Sequence, residues 1–234
     1  HLMRMRIIEC AANVYEIILS SHHILMDGWS LGLVLQDFFE IYQAKQKKIS
    51  PNLKTPIAYG DYIKFLKTVD TKSALQFWNH YLKNYFQQMR IPCALTSSGQ
   101  EYAPGEINFS IDANITKKLS DLAQENQMTV SSVVQSLWAL VLWQLNSLES
   151  QKIDVVFGVT VSGRPADVRG VSDIVGLFIN TIPCRFKGST DQSLIDFIKS
   201  CHQSLSETKS YHYSSLAEIQ NESALKQKLF DHIF

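Results

Sequence analysis

Two adjacent histidines, followed by an aspartate and a glycine in the segment His22-His23-Ile24-Leu25-Met26-Asp27-Gly28, are the residues of this 234-residue chain best suited to chemistry. An imidazole titrates near neutral pH, so it can take a proton from an attacking amine or hydroxyl, a role worth about 10²–10⁴-fold in rate. A single histidine at a strand end is most often an ordinary core or surface residue. The pair, with Asp27 four residues after His23, argues for more than that. Metal binding does not suit the spacing: neighbouring residues on a strand point to opposite faces, so His22 and His23 cannot easily share one ion, and no metal site is read here. Cys10, Cys93, Cys184 and Cys201 form no Cys-x-x-Cys pair and lie in apolar or amphipathic stretches. They read as reduced structural thiols, which fits a cytoplasmic setting.

The elements around the histidines follow from periodicity. Met3, Met5 and Ile7 alternate with Arg4 and Arg6, Ala11-Ala12-Asn13 reads as a turn, and Val14 to Ser20 reads as a paired strand that delivers His22 and His23. Beyond Gly28, apolar residues recur at three and four positions from Leu31 to Tyr42, ahead of the basic run Lys45-Gln46-Lys47-Lys48. That is an amphipathic helix with cations at its C-terminal end. The histidines therefore belong to a strand-to-helix turn, where a side chain is exposed for function and Gly28 allows an unusual backbone angle.

Further helices are expected around Tyr59 to Lys67 and over Leu75 to Tyr85; periodicity then stops between 86 and 105, the expected lobe boundary. A new cycle follows: a strand at Ile107, Phe109 and Ile111, a helix with Leu119 and Leu122, and a buried helix from Val130 capped by Thr129. Asp154 to Val161 reads as a central strand buried on both faces, and Asn180 to Phe186 as another strand before a helix through Leu194 and Leu205. The expected architecture is α/β with two lobes, each a β-sheet covered by helices: residues 1–95, carrying the histidine motif, and residues 96–234. Lys plus Arg and Asp plus Glu both total 22, so no basic field favours nucleic acid or an anionic membrane. Val130 to Leu145 is too short and too polar to span a bilayer, and the N-terminus does not read as a secretory signal.

These residues resemble the condensation domains of nonribosomal peptide synthetases, which share a fold with chloramphenicol acetyltransferase. Ser21 to Ser30 is similar to the family's active-site motif, Tyr59-Gly60-Asp61-Tyr62 to its Tyr-x-Asp-Tyr motif, and Phe77-Trp78 to the helix that follows. Gly158 to Pro165 and Val175 to Thr181 resemble two second-lobe signatures in the right order. The resemblance implies amide formation between an acyl or peptidyl thioester donor and an aminoacyl acceptor. Both would be held on 4'-phosphopantetheine arms of carrier domains, upstream and downstream, beside an adenylation domain, with no cofactor bound directly.

By the same resemblance His23 is the catalytic residue, as general base or as a positioning hydrogen-bond partner, and His22 is a packing neighbour. Asp27 holds the turn through a buried ion pair, Gly28 gives backbone room, and Trp29, Ser162 and Asn180 are tunnel-lining candidates. The family's arginine partner for Asp27 lies upstream of the motif; Arg164 and Arg185 are in-chain substitutes at other positions. The resemblance further implies a domain incomplete at both ends, so that the segment alone is not expected to catalyse. The rivals are an epimerisation domain or coenzyme A acyltransferase of the same fold, and a catalytically silent carrier-docking domain.

Overall fold

A computed structural model describes residues 1–91, 105–146 and 150–234. Most of the expected linker, residues 92–104 with Pro92, Ser97 and Gly99, lies outside the described residues, as does Cys93. The chain is mixed α/β and packs as two compact units, one of residues 1–69 and 162–180, the other of residues 70–161 and 181–234.

The first unit opens with an antiparallel hairpin, β1 (Met3–Ala11) and β2 (Val14–Ser21), in which Ile7 faces Ile17. Its turn is closed by Asn13 at φ 60°, a left-handed angle that asparagine tolerates better than most residues. The hairpin side chains are exposed except the half-buried Leu19. Helix α1 (Gly28–Lys47) follows, with Lys45 and Lys47 in its last turn and Lys48 at φ 56° ending it. Helix α2 (Tyr59–Thr68) packs Tyr62 with Val168, Ile174 and Phe178 in a small core. The Tyr62 and Phe178 rings lie 4.5 Å apart.

The second unit holds the larger core. Helices α3 (Thr71–Tyr81), α4 (Ala113–Glu125) and α5 (Val130–Asn146) precede strand β3 (Lys152–Val161), which pairs with β4 (Asn180–Ser189). Helices α6 (Leu194–Thr208) and α7 (Leu216–Glu222) complete it. Thr129 Oγ1 accepts the N–H of Ser132 at 3.1 Å, the cap anticipated for α5. β3 is buried continuously from Val155 to Val159, as its apolar run requires, while Thr160 near its end is exposed. Within it Gly158 forms a parallel bridge with Ile233, and a Cβ on Gly158 would come 2.7 Å from the Phe230 ring.

Two expectations are corrected. Ile107, Phe109 and Ile111 form no strand, and Ile107 and Phe109 are 89% and 82% exposed. Alternation becomes a strand only where a neighbour pairs its backbone, and among the described residues none does. The packing division also falls elsewhere than the 1–95 and 96–234 boundary. Trp78, Leu82, Tyr85 and Met89 lie in the core of the second unit, and residues 162–180 return to the first. Arg185 accounts for part of this: its guanidinium grips Asp154 at 2.6 and 2.7 Å and donates to the carbonyls of Tyr81 and Lys83 at the end of α3. Those carbonyls close a helix that would otherwise leave them without partners.

Candidate functional site

The histidine turn is anchored at both ends by backbone hydrogen bonds. At its start His22 N–H donates to Leu2 O at 2.7 Å, continuing the hairpin. Leu25 N–H then donates to His22 O at 3.0 Å, and at the far end Asp27 N–H donates to Gly176 O at 3.2 Å. Between these anchors His23 is exposed. The imidazole is thus presented on a held backbone, available to another group. His22 does not pack as expected: it is exposed, and its Nδ1 accepts the N–H of Ile24 at 3.1 Å, tightening the turn.

Asp27 has the opposite character. Only 5% exposed, it caps α1 by accepting Ser30 N–H at 2.9 Å on Oδ1, and it accepts Phe178 N–H at 3.1 Å on Oδ2. Arg164 Nη2 pairs with Oδ1 at 3.3 Å. Burial pushes the Asp27 carboxyl up, but the hydrogen bonds from Ser30 and Phe178 and the Arg164 guanidinium outweigh it and hold the group below its usual range. Asp27 is therefore a committed carboxylate, its oxygens turned to structural donors.

The partner of Asp27 thus lies within the chain, where an arginine upstream of the motif was expected. Arg164 also donates to the carbonyls of Val171 and Ile174 and to Ser30 Oγ, and its guanidinium sits 3.9 Å from the centre of the Phe178 ring. Arg185, the other substitute, is spent on Asp154. What places Arg164 is the preceding residue: Gly163 is at φ 62°, and a Cβ there would come 1.8 Å from Phe178 O. Only glycine fits both the angle and the approach. Gly28, by contrast, has no left-handed angle, and a Cβ on it would meet nothing within 4 Å. The unusual backbone angle expected there belongs to Gly163.

Of the tunnel-lining candidates, Trp29 is 60% exposed yet held, its Nε1 donating to Ser172 O at 2.9 Å. Ser162 is exposed, and Asn180 is half-buried at the start of β4. Tyr59, from the Tyr-Gly-Asp-Tyr segment, donates its hydroxyl to Leu177 O at 2.6 Å and lays its ring where a Cβ on Gly176 would fall, 2.0 Å away. Of the segments singled out in the sequence, Ser21 to Ser30 and Tyr59 to Tyr62 lie in the first unit, together with residues 162–165 of the Gly158 to Pro165 segment and residues 175–180 of the Val175 to Thr181 segment. Ser30 and the backbone of Gly176 to Phe178 are participants to which sequence reasoning assigned no role. Among the described residues, no cluster of three or more metal-binding side chains occurs, and no single helix is long and apolar enough to cross a membrane.

The whole chain, residues 1–234, matches the family described as Condensation domain. It is 38% identical over 233 residues to gramicidin S synthase 2 of Brevibacillus brevis, covering 99% of this chain and 5% of that protein. It is 38% identical over 234 residues to bacitracin synthase 3 of Bacillus licheniformis, covering 99% of this chain and 4% of that protein. The chain therefore spans under a tenth of these relatives. Among solved structures, the X-domain from teicoplanin biosynthesis superposes with a TM-score of 0.78 at 16% identity, over 99% of this chain and 54% of that one. The first condensation domain of the calcium-dependent antibiotic synthetase, in complex with substrate analogue 3a, gives a TM-score of 0.71 at 18% identity, over 94% and 48%. With a family match from end to end and relatives at 38% identity over nearly the whole chain, the chain belongs to the condensation-domain family of nonribosomal peptide synthetases.

Proposed function

We propose that this chain carries the catalytic motif of a domain that joins a carrier-bound acyl or peptidyl thioester to the amine of a carrier-bound aminoacyl group. The amine nitrogen attacks the thioester carbonyl, the carbon–sulfur bond breaks, and the amine proton is carried off as the pantetheine sulfur leaves as a thiol. His23 is the residue assigned to the reacting nitrogen, taking its proton or holding it by a hydrogen bond. The observation that carries this reading is the contrast within one turn: an exposed imidazole on an anchored backbone, and an aspartate so fully engaged by Ser30, Phe178 and Arg164 that it cannot relay protons. Trp29, Ser162 and Asn180 remain the residues proposed to border the substrates, and donor carrier, acceptor carrier and adenylation domains the proposed partners.

The test uses the full-length protein with donor and acceptor groups loaded on its carriers, the amide product being followed by mass spectrometry. Wild type should give the condensed thioester on the acceptor carrier. Stereochemical inversion of a loaded residue without condensation would favour epimerisation, and carrier binding without any product would favour a silent docking domain.

A further inference from the structure

We propose that Ser30 is a positioning residue for His23, acting through the peptide of Gly176; this rests on the functional reading above. Ser30 is fully buried within the first turn of α1, and its hydroxyl makes three hydrogen bonds. It donates to Gly176 O at 2.8 Å, accepts Gly176 N–H at 3.1 Å and accepts Arg164 Nη2 at 2.9 Å. One hydroxyl thereby grips both polar groups of a single residue and sets the orientation of its backbone.

That orientation matters because Gly176 O is also the acceptor for Asp27 N–H, the anchor at the far end of the histidine turn. The near end is tied to Leu2, so the path from His22 to Asp27 is held at two points, and Ser30 fixes one of them. Gly176 has no side chain, and the Tyr59 ring packs where one would go; the residues after it are tied by Tyr59 OH to Leu177 O and by Phe178 N–H to Asp27, but only Ser30 bonds both polar groups of Gly176 among the described contacts. Without the Ser30 hydroxyl, Gly176 N–H and Arg164 Nη2 each lose a partner in a buried site, while the bond from Asp27 to Gly176 O survives on a peptide that has lost one of its restraints. A displacement of about an ångström in a reacting group is enough to cost about 10²-fold in rate. The bonds that Ser30 makes to the chain around it therefore bear on the placement of a ring it does not touch.

The experiment compares wild type, Ser30→Ala and Val168→Ala in the full-length protein; Val168 lies in the small core of the same unit, makes none of the hydrogen bonds described to Gly176 or Asp27, and serves as a destabilised control. Condensation is followed under saturating and limiting acceptor carrier, with the His23 ring signals followed by NMR of histidine-labelled protein. Ser30→Ala should lower kcat by about tenfold to a hundredfold with KM within about twofold of wild type, and should shift the His23 ring signals. Val168→Ala should lower the melting temperature without either effect. Unchanged kcat and unchanged His23 signals in Ser30→Ala, or equal changes in both variants, would reduce Ser30 to a structural role and overturn the proposal. Raised KM at constant kcat would overturn it too, by placing Ser30 in carrier recognition. If wild type forms no amide, the functional reading fails alone, and the His23 signals still decide whether Ser30 positions that ring.

Discussion

Replacing Asp27 by alanine removes a carboxylate that is 5% exposed and accepts from three donors. Breaking a buried ion pair by removing one partner costs about 3–5 kcal/mol, because the remaining charge is left in a poor solvent. Here the stranded cation is Arg164, whose side chain is 7% exposed. It keeps the carbonyls of Val171 and Ile174 and the hydroxyl of Ser30, which argues for the lower end of that range. Loss of the α1 cap adds about 1 kcal/mol, for a total of about 4 kcal/mol. For a cooperative unit of about 150–250 residues each kcal/mol moves the melting temperature by about 2–4 °C, so a fall of about 8–16 °C is expected by calorimetry or circular dichroism. The pH dependence has a definite sign. The folded carboxyl titrates below its usual value of 3.8, so the stability it contributes is fully present above that value and is lost as pH falls through the lower folded value. The gap between wild type and Asp27→Ala should therefore narrow in strong acid and stay constant from pH 5 to 8. Equal melting temperatures at pH 7, with condensation lost in the variant, would show that Asp27 acts on the reaction and would refute this account of a structural ion pair.

Three further outcomes are expected. His23→Ala should abolish amide formation while changing the melting temperature by less than about 1 °C, since the ring is exposed and sits outside both cores; near-wild-type turnover would remove it from the reaction. Gly163→Ala should be strongly destabilising, by more than about 2 kcal/mol in urea titration, because its φ of 62° disfavours any side chain and a Cβ would meet Phe178 O; a neutral result would show that this turn relaxes freely. His212 is held down to about 4 by burial and by the neighbouring Lys209, so its contribution is complete above its ordinary 6.5 and declines as pH falls towards 4. Urea midpoints between pH 7 and pH 4.5 should drop more steeply for wild type than for His212→Gln, and parallel curves would locate that pH sensitivity elsewhere.

The sequence alone determined those features that depend on near neighbours. The spacing of Leu31 to Tyr42 marked α1, the β-branched run from Asp154 marked β3, and Thr129 marked the start of α5, because helix periodicity, strand burial and capping are properties of a few consecutive residues. The order of the motifs likewise pointed to the condensation-domain family before any contact was known. Tertiary structure alone decided who partners Asp27: Arg164 is 137 residues away, and no periodicity links two charges at that separation. It decided that Gly163, not Gly28, takes the left-handed angle, since the demand comes from Phe178 O crossing the chain. It left the alternating residues 107–111 without a strand, because a strand is made by its neighbour as much as by its own residues. And it placed α3 in the second unit, where the buried Arg185 side chain ties the end of that helix to β3, an arrangement set by a long-range ion pair that local pattern cannot reveal.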